Sequence, residues 1–205
     1  RPHPPRFPMS QQGFSYNQDR LRALARQVLD HARAIGASAC ETDVSEGLGQ
    51  SVTVRKGAVE TIEYNRDKGV GVTIYQGRQR GHASTSDFAP EALRATVEAA
   101  HSIARFTAED DCAGLPEERF LARSSRDLDL FHPWDIAVEE AIDLARRCED
   151  AAYAVSPDIR NSEGATVSVQ QSHFVSANSL DFMDGFASTR HYITCAPIAG
   201  EGDQM

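Results

Sequence analysis

Alternating apolar and polar positions between Ser45 and Ser86 predict a run of β-strands. Val52 and Val54 alternate with polar neighbours, which is the period-two pattern of a strand with one buried face. The links between successive runs are short, and short links favour antiparallel neighbours. The predicted strands cover residues 51–55, 59–64, 69–75 and 80–85, with a polar loop at residues 65–68 between the second and the third.

Gly69 and Gly71 fall on the face of the third strand that is opposite to Val70 and Val72. Two glycines on one face weaken a strand unless another group must lie close against its backbone. Two interpretations remain open. Either a helix packs over this face of the sheet, or a second backbone pairs with it or crosses it there.

Apolar residues at helical spacing predict one helix before these strands and two after them. Ser15 and Gln18 match a capping box at the start of the first helix, and Gly36 is typical of a helix C-cap. A strand over residues 37–44 follows. The segment Asp87–Pro90 predicts the start of the second helix, which we expect on the same side of the sheet as the first.

The second half of the chain has the same order of a helix followed by strands. Asp135 predicts the start of a third helix, and further strands are predicted over residues 173–177 and 192–198. The triplet Ser162-Glu163-Gly164 precedes an alternating strand, as the triplet Ser45-Glu46-Gly47 does in the first half. Duplication of one helix-plus-sheet unit and coincidence both account for this likeness.

These patterns predict an α+β fold of two consecutive units, each with helices packed on a mainly antiparallel sheet. The region after the second helix has charge clusters, turn-forming residues and weak periodicity, which are typical of a connector at a domain boundary. We therefore expect a flexible N-terminal extension at residues 1–14, a first α+β domain at 15–107, a connector at 108–132 and a second α+β domain at 133–205.

Charge and composition limit the classes of function. The formal net charge of −9, without any run of Lys and Arg, argues against direct binding of nucleic acid. No membrane span is predicted, because no apolar run reaches about 18 residues, and residues 1–12 lack the apolar core of a signal peptide. We interpret the widely spaced cysteines as free thiols in a reducing compartment and expect a cytoplasmic protein. They are Cys40, Cys112, Cys148 and Cys195.

Two groups of residues suggest nucleophile or calcium chemistry at first sight. His82 lies near Ser84 and Ser86, but neither serine stands in a nucleophile elbow, and a half-buried strand explains them equally well. The cluster Glu109-Asp110-Asp111 lacks a calcium-loop pattern, so a solvated loop is the better explanation.

A metal pair of His173 and His191 is a further hypothesis, with Cys195 and Asp184 as the other ligands near in sequence. No two histidines have the spacing of a zinc-binding helix, which argues against it. We therefore predict no catalytic, metal-binding or cofactor-binding residue in these 205 positions. The residues that contact a partner or a substrate are not predicted.

The amino-acid sequences of several segments closely resemble the PmbA/TldD family, in its PmbA (TldE) branch. These segments are SEGLGQSVTVRKGAVETIEYNRDKGVGVTIY, RGHASTSDF, IARFTAEDDCAGLPE, HPWDIAVEEAIDLARRCE, NSEGATVSVQQSHFVSANS and IAGEGDQM. The resemblance runs from about Leu21 to Met205 and corresponds to the amino-terminal part of the family. It implies that the second domain is incomplete here and that a C-terminal domain is missing after Met205.

The resemblance also implies a function. It implies a subunit of a TldD–TldE type zinc metallopeptidase assembly that processes or degrades unfolded peptides. In such an assembly the TldD-like partner carries the zinc on an H-E-x-x-x-H helix. The family's label "modulator of DNA gyrase" implies no DNA contact. The present region would then be a non-catalytic scaffold whose sheet edges meet the partner and peptide substrates. The alternative is a protein that is itself a metallopeptidase, with its zinc site beyond residue 205.

Overall fold

A computed structural model describes residues 13–123 and 126–200, and within these ranges the chain forms a six-stranded antiparallel sheet and three α-helices. This is the predicted α+β class. The predicted extension at residues 1–14 lies almost entirely outside the described residues. The helices are α1 (Gln18–Ala34), α2 (Pro90–Ala104) and α3 (Val138–Tyr153), with a 3-10 helix at Glu118–Phe120. The strands are β1 (Ala39–Arg55), β2 (Ala58–Gln76), β3 (Gln79–Thr85), β4 (Ile159–Asn178), β5 (Met183–Asp184) and β6 (Ala187–Ala199).

The sheet has the order β3–β2–β1–β4–β5, and β6 also pairs with β4. The pairing of β1 with β4 joins the two halves of the chain, with Val52 opposite Val167 and Thr53 opposite Thr166. The hydroxyl oxygens of Thr53 and Thr166 lie 2.9 Å apart across this pair. The two predicted units therefore contribute to one continuous sheet, while the predicted domain boundaries remain predictions.

The hairpin of β1 and β2 is longer than predicted. The predicted loop at residues 65–68 is wrong, because these residues continue β2 and pair with residues 46–49 of β1. Every residue from Ala58 to Lys68 is exposed. Its polar sequence thus reflects exposure of both faces of a strand, which a pattern search cannot distinguish from a loop.

The core lies between the helices and one face of the sheet, where the even-numbered residues of β1 point. In the first cluster, residues of α1 and α2 such as Leu24 and Val97 pack with Val44 and Val72 of the sheet. The prediction that α1 and α2 share one side of the sheet is therefore confirmed. In the second cluster, α3 covers the other end of the same face. Its buried members are Val52, Val54, Ile136, Ala141, Ala145, Ala165, Val167 and Val169.

Both interpretations of Gly69 and Gly71 are wrong for the described residues. A Cβ at Gly69 would find only the Thr85 carbonyl oxygen at 3.8 Å, and one at Gly71 only the His82 ring at 3.5 Å. The glycines face the side of the sheet opposite to the helices. The close approach of a helix occurs instead at Gly81 of β3, where a Cβ would collide with the α2 backbone at Ala100 and Ala104.

Two predicted helix starts are also wrong. Asn17, and not Ser15, caps α1, since its Oδ1 accepts the Arg20 N–H at 2.8 Å. The third helix begins at Val138, after Asp135, and the Glu140 carboxylate accepts the Ala137 N–H at 3.2 Å. In both cases a nearby side chain of suitable length satisfies the free N–H groups, and the sequence offers several such side chains.

Candidate interaction surface

His82, Ser84 and Ser86, for which a half-buried strand is the equally good explanation, do not form a nucleophile group in the described part of the chain. His82 lies on the open face of the sheet, where its Nδ1 is 3.1 Å from the Thr73 hydroxyl. Ser84 and Ser86 line a shallow depression of about 330 Å³ on the same face, above Gly69 and Gly71. No hydrogen bond joins His82 to either serine in residues 13–123 and 126–200.

The hypothetical metal pair is separated in the structure. His173 is buried on the helix side of the sheet, and His191 is opposite Val169, four positions away along β4, where its Nε2 is 2.9 Å from the His132 carbonyl oxygen. Asp184 pairs with Arg22 at 3.3 Å. Across the described residues, no three His, Cys, Asp or Glu side chains gather as a metal site. This donor set does not fit a zinc ion.

The acidic cluster at residues 109–111 is exposed. Its Asp110 carboxylate accepts the Cys112 N–H at 2.9 Å, and the Asp110 N–H donates to the Arg78 carbonyl oxygen at 3.0 Å. The cluster therefore shapes a turn beside β3. This agrees with its interpretation as a solvated loop.

Glu46, at the centre of β1, accepts hydrogen bonds from four groups, and it is not among the candidate residues predicted from the sequence. Its carboxylate is 2% exposed and accepts the backbone N–H groups of Ser15 at 2.8 Å and Tyr16 at 3.0 Å. The Arg66 guanidinium lies 3.1 Å away and the His173 Nε2 3.4 Å away. Glu46 thereby ties the segment before α1 to three neighbouring strands.

The charge states of this cluster follow from its contacts. Burial alone would raise the pKa of Glu46, but the donated hydrogen bonds of Ser15, Tyr16 and His173 lower it below its ordinary value. Burial lowers the pKa of His173, and the hydrogen bond to Glu46 opposes this only in part. The Phe14 ring stacks on His173, with 3.9 Å between the ring centroids. The arrangement therefore holds an ionised carboxylate beside a neutral imidazole.

A second buried carboxylate holds the turn of the hairpin. Glu149 of α3 accepts the N–H groups of Lys56 at 3.0 Å and Gly57 at 2.9 Å, in the turn between β1 and β2. Burial opposes ionisation of Glu149, yet these two hydrogen bonds bring its pKa below the ordinary value. The centre of β1 and the turn after its C-terminal end are thus each held by a carboxylate that binds backbone N–H groups.

One signal could have identified Glu46. The inward positions of β1 carry apolar residues at Val44, Leu48 and Val52, and Glu46 interrupts this row. A charged residue at a buried strand position requires partners. The sequence patterns predicted two separate strands, at residues 37–44 and 51–55, and Glu46 falls between them, where no buried position was expected.

The outer half of β2 is a free sheet edge. Residues Ala58–Gly69 pair only with β1 in the described structure, since β3 begins its pairing at Val70. On the other side of the sheet, the connector covers part of β6, where the Thr189 N–H donates to the Leu130 carbonyl oxygen at 2.9 Å. Beyond Thr189, β6 pairs only with β4 in the described residues, so both β6 and β2 present unpaired edges, and the one on β2 runs from Ala58 to Gly69.

An apolar strip lies along this edge on the helix side of the sheet. Val59, Ile62 and Tyr64 are opposite Val54, Val52 and Gln50, whose side chains point into the core. They are 39%, 44% and 61% exposed, because no described helix extends over them. Burial and the nearby charge of Glu139 raise the pKa of Tyr64. Because Glu139 is in the first turn of α3, the strip borders the start of that helix. We name Val59, Ile62 and Tyr64 the edge strip.

Two family models match most of the chain. Residues 40–104 match the PmbA/TldA metallopeptidase domain 1, and residues 131–205 match the PmbA/TldA metallopeptidase central domain. The chain belongs to the PmbA/TldD family. The boundary between the two matches falls in the region between α2 and α3.

Curated relatives agree with this assignment. The chain is 41% identical over 165 residues to the metalloprotease PmbA of Escherichia coli O157:H7, which covers 80% of the chain and 37% of that protein. It is 36% identical over 188 residues to a metalloprotease PmbA homolog of Haemophilus influenzae, which covers 92% of the chain and 42% of that protein. The chain thus spans about two fifths of the length of these relatives.

Solved structures of the family have the same fold. A modulator of DNA gyrase from Bacteroides thetaiotaomicron matches with a TM-score of 0.78 at 17% identity, over 91% of the chain and 43% of that protein. TldE from Thermococcus kodakarensis matches with a TM-score of 0.68 at 12% identity, over 87% of the chain and 40% of that protein. None of the helices in residues 13–123 and 126–200 is long and apolar enough to cross a membrane.

Proposed function

We propose that this chain is the amino-terminal part of a PmbA/TldE-like subunit in a TldD–TldE type zinc metallopeptidase assembly that processes unfolded peptides. Its role there is non-catalytic. It forms a scaffold that contacts the partner subunit and peptide substrates. The observation that carries the proposal is the free edge of β2 with its edge strip, in a region whose acidic, histidine and cysteine side chains offer no metal site among the described residues.

A sheet edge suits a peptide of variable sequence. An added strand binds through main-chain hydrogen bonds, which every residue except proline can make, and side-chain pockets add selectivity. The edge strip offers apolar contact on one face of such a strand. Charged residues along the same edge, among them Glu60, Glu63 and Lys68, discourage pairing of two identical edges.

The cofactor and the partner follow from the same proposal. In this proposal the zinc is carried by the TldD-like subunit, as the family resemblance implies, and the described residues gather no donor set of their own. The substrates are peptides, and the net charge of −9 supports the absence of direct contact with nucleic acid. The cytoplasm is proposed as the location on the basis of the free cysteines.

A second function has a specific observation in its favour. The curated relatives are named metalloproteases, and the chain spans only 37% to 42% of the first two. In this alternative the full-length protein is itself the peptidase. Its zinc site then lies in residues beyond position 205.

The deciding experiment measures zinc content and cleavage of an unfolded peptide by the full-length protein alone and mixed with its TldD-like partner. Cleavage only in the mixture, with zinc bound to the partner, is the result expected for a non-catalytic subunit. Zinc and cleavage in the protein alone would overturn the proposal and support the alternative. Cleavage by the partner alone, at the rate of the mixture, would also contradict a shared assembly.

A further inference from the structure

Two of the four cysteines meet between α3 and β6. Cys195 is opposite Ala165 in the register of β4 and β6, and Ala165 belongs to the core beneath α3. Cys148 lies on α3, and both cysteines pack against that same apolar cluster. The Cys195 thiol is within hydrogen-bonding reach of the Cys148 thiol and of the Ser162 hydroxyl. Cys148 and Cys195 are thus neighbours in space although 47 positions separate them in the chain.

We propose that Cys148 and Cys195 are a reversible redox site, which a low-molecular-weight disulfide such as glutathione disulfide converts into a cross-link between α3 and β6. Both thiols are free and partly exposed, so they are accessible to a small oxidant. A disulfide requires two Cβ atoms about 3.5–4.5 Å apart, and two thiols within hydrogen-bonding reach of each other approach this separation by rotation about χ1.

The reaction balances without another reactant. The Cys148 thiolate attacks one sulfur of glutathione disulfide, and the first glutathione leaves as a thiolate that takes up the proton lost by Cys148. The Cys195 thiolate then attacks the Cys148 sulfur of the mixed disulfide, and the second glutathione leaves and takes up the proton lost by Cys195. Two electrons pass from the protein thiols to glutathione disulfide, which becomes two molecules of glutathione.

The environment of Cys195 assigns it the second step. Burial raises the pKa of its thiol, and the neighbouring charges of Cys148 and Glu149 act in the same direction. A thiol that stays protonated is a poor nucleophile towards an external disulfide. Once Cys148 carries glutathione, however, the reacting sulfur belongs to a neighbouring side chain, and proximity compensates for the small thiolate fraction.

The other two cysteines provide internal controls. Cys40 is buried under α1, and burial raises the pKa of its thiol to about 12, which makes it unreactive at neutral pH. Cys112 is exposed, and no other thiol contacts it in the described structure. Cys112 should therefore form a mixed disulfide with glutathione and no internal cross-link.

The cross-link would act on the region that holds the hairpin. Glu149, the residue after Cys148, binds the turn between β1 and β2 through the N–H groups of Lys56 and Gly57. A bond from Cys148 to β6 ties α3 to the strand beyond β4, at the edge of the sheet away from β2. Oxidation should therefore stabilise the half of the fold that contains α3, β4 and β6, by restricting the unfolded chain.

Peptide mapping of the full-length protein tests the proposal directly. The protein is equilibrated with glutathione disulfide, free thiols are blocked with iodoacetamide, and tryptic peptides are identified by mass spectrometry. Trypsin places Cys148 in a peptide that begins after Arg147 and Cys195 in one that begins after Arg190. The expected product joins these two peptides, with Tm higher by roughly 5–10 °C than in the reduced protein.

Cysteine-to-serine variants distinguish the effect of the Cys148–Cys195 cross-link from other effects of the oxidant on the protein. Cys148→Ser and Cys195→Ser should each abolish both the cross-linked peptide and the rise in Tm, while Cys112→Ser should keep both. Tm in dithiothreitol, measured for every variant, identifies a substitution that merely destabilises the fold. The proposal is overturned if Cys148 and Cys195 of the native protein remain free, or if each carries glutathione without a cross-linked product.

Discussion

Glu46 of β1 and His173 of β4 are opposite each other in the sheet register, and their side chains meet on the helix side with 3.4 Å between Oε2 and Nε2. Both side chains are nearly inaccessible, at 2% and 3% exposure. An ionised carboxylate at such a position is tolerated only because Ser15, Tyr16 and Arg66 also donate to it. The two halves of the chain and the segment before α1 are thereby joined at one group.

Replacement of Glu46 should therefore destabilise the whole fold. In Glu46→Gln, the N–H groups of Ser15 and Tyr16 lose a charged acceptor, and the buried amide lacks partners for its own N–H groups. We expect the free energy of unfolding in urea to fall by about 2–4 kcal/mol. Glu63→Gln, the same substitution on the exposed part of β2, should change it by less than about 0.5 kcal/mol. Equal effects of the two substitutions would contradict the role of Glu46.

The same cluster predicts how stability depends on pH. The pKa of His173 in the folded state lies below its ordinary value of 6.5, and the pKa of Glu46 lies below its ordinary value of 4.5. In both cases the unfolded chain binds the proton more readily, so stability falls as pH falls. For His173 the loss begins near pH 6.5, and for Glu46 it begins near pH 4.5 and continues through the folded pKa.

Urea unfolding of the wild type and of His173→Gln between pH 8 and pH 4 measures these contributions. The variant should lose the part of the slope that begins near pH 6.5. It should keep the part that begins near pH 4.5, the ordinary pKa at which the Glu46 and Glu149 carboxyls of the unfolded chain start to bind protons. A wild-type slope between pH 6.5 and 5 that is unchanged in the variant would show that His173 is not its source.

Glu149 should control the turn between β1 and β2 locally. In Glu149→Gln the N–H groups of Lys56 and Gly57 lose their charged acceptor, and the turn opens more often. We expect hydrogen exchange of these two amides to accelerate about tenfold or more. Asp150→Asn, an exposed change on the same helix, is the control and should leave the turn unaffected. Unchanged exchange in Glu149→Gln would argue that the turn is held by the strands alone.

Replacement of Gly81 even by alanine should destabilise the fold. In Gly81→Ala the added methyl group would occupy the space of the α2 backbone at Ala100 and Ala104, so α2 must move away from β3. Overpacking of this kind costs about 1–3 kcal/mol of unfolding free energy. Gly71→Ala on β2 is the matched control, because its methyl group would meet only the His82 ring at ordinary contact distance. Thermal unfolding of both variants measures their stabilities, and Gly71→Ala should be the more stable of the two.

The edge strip offers a test of the proposed interaction surface. Ile62→Lys places a charge on the apolar side of the β2 edge, whereas Thr61→Lys places the same charge on the neighbouring residue and the opposite face. If the partner or a peptide adds to this edge, Ile62→Lys should weaken its binding about tenfold or more, and Thr61→Lys much less. Binding titrations with the TldD-like partner and with an unfolded peptide measure this. Wild-type affinity in Ile62→Lys would place the contact elsewhere.

Local patterns in the sequence predicted much of the fold. The stripe of apolar residues in α1, α2 and α3 and the alternation around Val52 and Val70 report directly which side of each element is buried. They led to the α+β class and to the side on which α1 and α2 pack. Errors arose where a local pattern has two physical causes, as at residues 65–68, which are polar because both strand faces are exposed.

The amino-acid sequence by itself determined which residues are apolar, the period at which they recur and the resemblance to the PmbA/TldD family, because these depend only on residues near each other in the chain. The tertiary structure alone decided that β1 pairs with β4. That pairing brings Glu46 to His173 across 127 positions, while the packing of α3 brings Cys148 to Cys195. Such contacts depend on the register of distant strands, which is set by the burial of whole faces of the sheet and not by any single segment.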